Sequence, residues 1–255
     1  MLGAIIGDIA GSCYEFNNTS DYNFPMFNRK KDYTDDTICT VAVADAILNR
    51  KSYQSALQEW CRRYPNPMGQ YGSYFLSWVM RPDPHPYGSF GNGSAMRVSP
   101  VAWLFADEQS VREEAEKSAA VTHNHPEGIK GAVAVAVAIF RMRTAAVKTP
   151  EIYETVAKEF YGEDPFGHLP RRGYFDVTCQ GCVPLALFLA SKATSFEYAI
   201  RQAVVYGGDT DTVGAIVGSL AEPLFGIPEE MTEAAKSYLP EDMKQIISQF
   251  EAAKA

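Results

Sequence analysis

The chain has 255 residues, 46% of them hydrophobic and 21% charged, with a formal net charge of -8 and a pI near 5.1. That balance is ordinary for a soluble globular protein, and the length suits one large domain or two small ones. No run of five basic residues occurs, which argues against nucleic acid as a main partner, and no stretch approaches 18 uninterrupted apolar residues, which argues against a membrane span.

The opening segment, MLGAIIGDIAGSCYEF, is apolar but has no basic region before its apolar run, and it contains Asp8. It reads as a helix over 2–13 belonging to the fold, not as a signal peptide. Gly3, Gly7 and Gly11 recur every four residues, so they share one face, where a second helix can approach closely. An irregular segment, 14–36, follows. Helices are then expected over 37–49, 53–64 and 69–80; in SYQSALQEWCRRY, Ser52 can cap while Tyr53, Ala56, Leu57 and Trp60 recur at helical spacing. The Pro- and Gly-dense stretch 81–94 breaks the pattern before helices over 94–106 and 110–121. GAVAVAVAIFRMRTA alternates like a strand, but both faces are apolar, alanine favours helix and the run is long for a strand. It reads as a buried central helix over 126–143. A helix over 150–161 precedes a third irregular segment, 162–178. Helices over 180–191, 195–206, 211–222, 230–238 and 240–254 complete the chain. Gly214 and Gly218 repeat the four-residue spacing of the first helix. With no linker and no repeat, the expected organisation is one all-α domain spanning 1–255. Five cysteines without a disulfide-like pattern point to the cytoplasm.

Two short acidic stretches stand at helix starts. In KDYTDDTICTVAVADAIL, Thr34, Asp35, Asp36 and Thr37 open an apolar helix; in YGGDTDTVGAIVGSLAEPLFG, Asp209 and Asp211 do the same. Each alone reads as an N-cap, since Asp and Thr accept backbone N–H bonds and suit the helix dipole. The pair admits another reading. If the two helix starts meet, four aspartates share a small volume, and two unit charges 4 Å apart repel by about 4 kcal/mol at an effective dielectric of 20. No Lys or Arg lies within either stretch. Two divalent cations would offset that charge, and Thr34 and Thr212 would add neutral oxygens; an all-oxygen set suits Mg2+, Mn2+ or Ca2+, not zinc.

Other stretches carry weaker signals. YGSFGNGSAMRVSP reads either as a flexible turn or as a glycine loop whose N–H groups face a phosphate; it is neither a Walker loop nor a dinucleotide fingerprint. His123 and His125 form an H-x-H pair without further zinc partners, and one of them could instead hydrogen-bond a substrate. Cys179 and Cys182 form a C-x-x-C without a second pair, and read as incidental thiols at a helix start. Glu15 alone would be a solvated surface charge.

Taken together, GAIIGDIAGSCYEF, YTDDTICTVAVADAIL, GSFGNGSAMRVSP, THNHPEGIKGAVAVAVAI, YFDVTCQGCVPLALFLA and GGDTDTVGAIVGSLAEPLFG resemble the ADP-ribosylglycohydrolase family, which includes the dinitrogenase reductase-activating glycohydrolase. The resemblance implies an orthogonally packed helical bundle with a central two-metal site, two Mg2+ or Mn2+, held by Thr34, Asp35, Asp36, Asp209, Asp211 and Thr212. It makes Glu15 the acidic residue of a mobile loop and, with Asp36, a catalytic candidate. Gly88, Ser89, Phe90, Gly91, Asn92 and Gly93 match the loop around the distal ribose and diphosphate. His123 matches a substrate-contacting histidine, and Tyr174 with Phe175 the adenosine end. Phe90 stands where some relatives have Tyr, and Cys182 where a Ser-like residue is expected. The implied activity is hydrolysis of the bond between ADP-ribose and an acceptor, with an ADP-ribosylated protein or a small-molecule ADP-ribose conjugate as partner. The alternative is a catalytically silent ADP-ribose reader or a structural protein of the same fold.

Overall fold

A computed structural model describes residues 1–254; Ala255, the last position of the expected domain, lies outside the described residues. The elements are α1 (Leu2–Gly11), α2 (Asp35–Leu48), α3 (Tyr53–Arg63), α4 (Ser73–Met80), α5 (Gly93–Met96), α6 (Ser99–Leu104), α7 (Glu108–Ala120), α8 (Pro126–Thr144), α9 (Glu151–Tyr161), α10 (Cys179–Ser191), α11 (Phe196–Tyr206), α12 (Thr210–Phe225), α13 (Glu229–Lys236) and α14 (Glu241–Ala253). Among the described residues there is no strand, only the isolated bridges Thr34–Met68 and Gly91–Thr178. No helix among them is long and apolar enough to cross a membrane.

The alternating Ala/Val run is helical. Ala134 to Ile139 are fully buried, because α8 is surrounded by α5, α6, α7, α9, α10 and α12, and a helix apolar all round belongs inside a bundle. The glycine spacing has its expected partner: α1 lies antiparallel against α12. A Cβ on Gly7 would fall 1.9 Å from the Gly214 carbonyl oxygen, and one on Gly3 2.2 Å from that of Gly218. The two backbones are therefore in contact. Ile5, Ile6 and Ile9 on α1 are fully buried, each stabilising by about 1.5–3 kcal/mol. This seam matters for the site, because it brings the end of α1 and the start of α12 to one place.

Several helix ends shift by one to three residues from the sequence expectation, and three differences have a clear physical cause. The first helix stops at Gly11 and continues as a 3-10 turn, Ser12–Tyr14. The helix expected over 94–106 is split into α5 and α6: Pro100 has no N–H for the Met96 carbonyl, which accepts from Thr40 Oγ1 at 3.5 Å. The helix expected from 69 starts at Ser73, because Gly69 and Gln70 have φ of +78° and +69°, in the left-handed region.

Candidate active site

The two acidic helix starts meet at the floor of a cleft of about 810 Å³, whose lining includes Glu15, Asp35, Asp36, Asp209, Asp211 and Thr212. Thr212 Oγ1 donates to Asp36 Oδ2 at 3.3 Å, bridging the starts of α12 and α2. Asp209 occupies the N-cap position of α12 without capping it. Its Oδ2 instead accepts from Asn92 Nδ2 at 2.7 Å, tying the glycine loop to the acidic floor. Glu15 follows the 3-10 turn after α1. One oxygen each of Glu15, Asp209 and Asp211 lies within 4.8 Å of the others.

Asp8 explains how α2 is aimed. It is fully buried on α1 and accepts from Thr34 N at 3.0 Å, Thr34 Oγ1 at 2.8 Å and Thr37 N at 3.1 Å, and from the Thr37 hydroxyl. Thr34 in turn caps α2, its Oγ1 accepting from Asp36 N at 3.2 Å. Thr34 thus stands behind the floor with its hydroxyl committed to Asp8, while Asp35 and Asp36 face the cleft. Sequence reasoning passed over Asp8; its one signal was a carboxylate inside an otherwise apolar, glycine-faced helix, where burial demands partners.

Burial and mutual repulsion push every carboxyl of the floor upward. Desolvation leads at each. It takes Glu15 to about 8, with Asp209, Asp35 and Asp8 adding repulsion, and Asp35 to about 7, with Asp8 next. Asp8 rises to about 6 against the pull of its threonine hydrogen bonds. Asp36 and Asp211 are driven well above the usual range by desolvation and then by acidic neighbours, Asp8 first for Asp36 and Asp209 first for Asp211; Asp209 is also raised, by desolvation. Glu15 Oε2, Asp36 Oδ1 and Asp211 Oδ1 are buried without a hydrogen-bond partner. Buried polar atoms are normally paired. Orphaned anionic oxygens in an all-oxygen donor set fit hard divalent cations, which would hold the charged forms and reverse the upward shifts.

Above the floor, Ser89, Phe90, Gly91, Asn92, Gly93 and His123 line one wall. Gly88 lies outside the lining, donating its N–H to Asn124 Oδ1 at 2.7 Å. Tyr174 is also off the wall and 63% exposed; its neighbour Phe175 lines the cleft and stacks on Phe16, ring centroids 5.8 Å apart. The segment Gly69–Gly72 forms another wall that the helical expectation concealed, although PNPMGQYG is as loop-like as 81–94. A Cβ on Gly69 would lie 2.9 Å from Glu15 Oε2 and push the carboxylate aside, and the φ of +78° favours glycine there in its own right. The cysteines of C-x-x-C are free and buried, and no disulfide joins them.

Fold and cleft define a class: an all-helical protein whose ligand cleft has a floor of buried carboxylates. The chain belongs to the ADP-ribosylglycohydrolase family, whose model matches residues 1–254. It is 25% identical to the ADP-ribosylhydrolase ARH3 of Danio rerio, over 88% of this chain and 82% of that one. It is likewise 25% identical to the ADP-ribosylarginine hydrolase Tri1 of Pseudomonas putida, over 91% and 72%. A solved ADP-ribosylglycohydrolase-related protein complex shares the fold, with a TM-score of 0.76 at 22% identity, covering 100% of this chain and 96% of that one.

Proposed function

We propose that the chain acts as one ADP-ribosylglycohydrolase-like domain, hydrolysing the glycosidic bond between ADP-ribose and an acceptor with the help of two divalent cations, Mg2+ or Mn2+. The observation that carries the reading is the trio of partnerless buried oxygens on Glu15, Asp36 and Asp211 at the floor of a nucleotide-sized cleft. Asp35, Asp36, Asp209, Asp211 and Thr212 would hold the cations, and Thr34, which caps α2 and gives its hydroxyl proton to Asp8, would add its oxygen beside Asp36. Bound there, the cations supply Lewis acidity and a template for ribose hydroxyls.

The remaining work falls to the chain. Cleaving a glycosidic bond builds positive character on the sugar ring and needs a proton moved at the leaving atom or at water. Glu15, half-buried at the rim of the floor with a carboxyl far from its ordinary value, is the group for that proton. Asn92 ties the glycine loop to Asp209, so the loop that receives the nucleotide and the floor that receives the ribose are joined by a direct hydrogen bond. Phe16, next to Glu15 in the chain, and Phe175 stack as an aromatic pair lining the cleft.

The test is incubation with arginine-linked, serine-linked and O-acetyl conjugates of ADP-ribose. Free ADP-ribose should appear with Mg2+ or Mn2+ and stop with chelator. Release of AMP would identify a pyrophosphatase instead. Tight ADP-ribose binding without release from any conjugate would identify a reader.

A further inference from the structure

Arg97 is fully buried, and its Nε and Nη1 have no hydrogen-bond partner. Burying a guanidinium costs several kcal/mol, so its position calls for a reason. Its Nη2 donates to the Ser118 carbonyl at 2.9 Å and to Thr122 Oγ1 at 2.9 Å. Thr122 Oγ1 is in turn 2.6 Å from His123 Nδ1. The other ring nitrogen faces the glycine loop: a Cβ on Gly93 would fall 3.1 Å from His123 Nε2, and one on Gly91 3.6 Å. His123 lines the cleft although only 5% exposed.

The direction of these hydrogen bonds follows from what each group can do. Arginine only donates, so Thr122 Oγ1 must accept from it. If His123 carried its proton on Nδ1, Thr122 Oγ1 would accept twice, and its own hydroxyl proton would be stranded in a fully buried position. If Nδ1 is bare, the hydroxyl proton goes to it, and the Thr122 hydroxyl and Nδ1 are both paired.

We propose that Arg97, acting through Thr122, holds His123 as the Nε2–H tautomer, so that the glycine loop side of the cleft presents a hydrogen-bond donor matched to an oxygen acceptor of the ligand. Arg97 and Thr122 are positioning residues; His123 makes the contact. Burial, with Arg97 beside it, keeps the imidazole neutral, well below its ordinary range. Phosphate or ribose oxygen as the acceptor rests on the ADP-ribose reading; the tautomer does not.

Two-bond proton–nitrogen correlation spectra of the 15N-histidine-labelled full chain read the tautomer directly, with the His123 signals assigned by their loss in His123→Asn. The wild-type protein should show a bare Nδ1 and a protonated Nε2. Thr122→Ser should keep that pattern. Thr122→Val should lose it and weaken ADP-ribose binding by about tenfold, raising KM more than it lowers kcat. A wild-type spectrum with Nδ1 protonated overturns the proposal, as does an unchanged tautomer in Thr122→Val. An Nε2–H spectrum without any ADP-ribose binding would remove the functional reading and leave the relay standing.

Discussion

Helix α12 has buried carboxylates at both ends, and the two ends are in opposite electrical condition. Toward its C-terminus, Glu222 accepts from Gly3 N at 2.9 Å, Lys254 Nζ at 3.2 Å and the Met1 ammonium at 2.7 Å, and these cations hold its carboxyl below the usual range despite burial. At its N-terminus, Asp209 and Asp211 are equally buried, yet their carboxyls are pushed up, and the charged neighbours acting on Asp211 are acidic. The helix dipole works the other way, favouring anions at the N-terminus, but at about 0.3–1 kcal/mol it is outweighed. Burial costs the same at both ends. What differs is whether the chain brings its own cation, and at the acidic tip it does not.

The comparison can be pressed at several points. The largest effect belongs to Glu15→Gln, which should cut turnover on an ADP-ribosylated peptide by about 10²–10⁴-fold while calorimetry still detects Mg2+ binding; an unchanged rate would strike Glu15 from the mechanism. Next is a pair of variants on one helix in one assay. Glu222→Gln leaves the fully buried Met1 ammonium without its carboxylate and should lower the unfolding free energy by about 3–5 kcal/mol in urea titrations. Asp211→Asn, measured in chelator, should move the opposite way by roughly 1 kcal/mol through relieved repulsion, and should lose the stabilisation that Mg2+ gives the parent. Equal signs for the two would dissolve the contrast.

A smaller effect is expected from pH. Asp8, Asp35 and Glu15 stand at about 6, 7 and 8 in the folded protein, against about 4 unfolded. Raised folded values mean that the folded state binds protons more tightly, so stability is greatest below about pH 4 as far as these groups decide it. It is lost as pH rises through the folded values. The melting temperature in chelator should therefore fall between about pH 4 and 8, and saturating Mg2+ should flatten that slope; a chelated protein whose melting is flat over this window would contradict the shifts. The smallest effect is the control. Lys236 pairs with Glu233 at 3.0 Å on the surface of α13, and Lys236→Ala should change stability by no more than about 0.5 kcal/mol, because water already screens that pair.

Much of the fold was legible because it is written in local periodicity. The four-residue glycine spacing in α1 and α12 named a close helix seam, and the length and two-sided apolarity of 126–143 outweighed its strand-like alternation. The acidic tips were readable as residues for the same reason: TDDT and DTD stand at recognisable helix starts. Less legible was the division of labour among them. Thr34 looked like one more oxygen for a cation, and the structure adds that its hydroxyl proton goes to Asp8, a residue 26 positions away.

By itself, then, the sequence determined the helices, the glycine faces that let two of them touch, and the carboxylates at two helix starts, since each depends on neighbours within a turn or two. Only the tertiary structure decided that those starts share one floor, that Asp8 aims α2, that Gly69 makes room for Glu15, and that Arg97 reaches His123 through Thr122. Each of those depends on the direction and distance of groups far apart in the chain, and electrostatic energy and hydrogen bonding are set by separation in space, which periodicity does not encode.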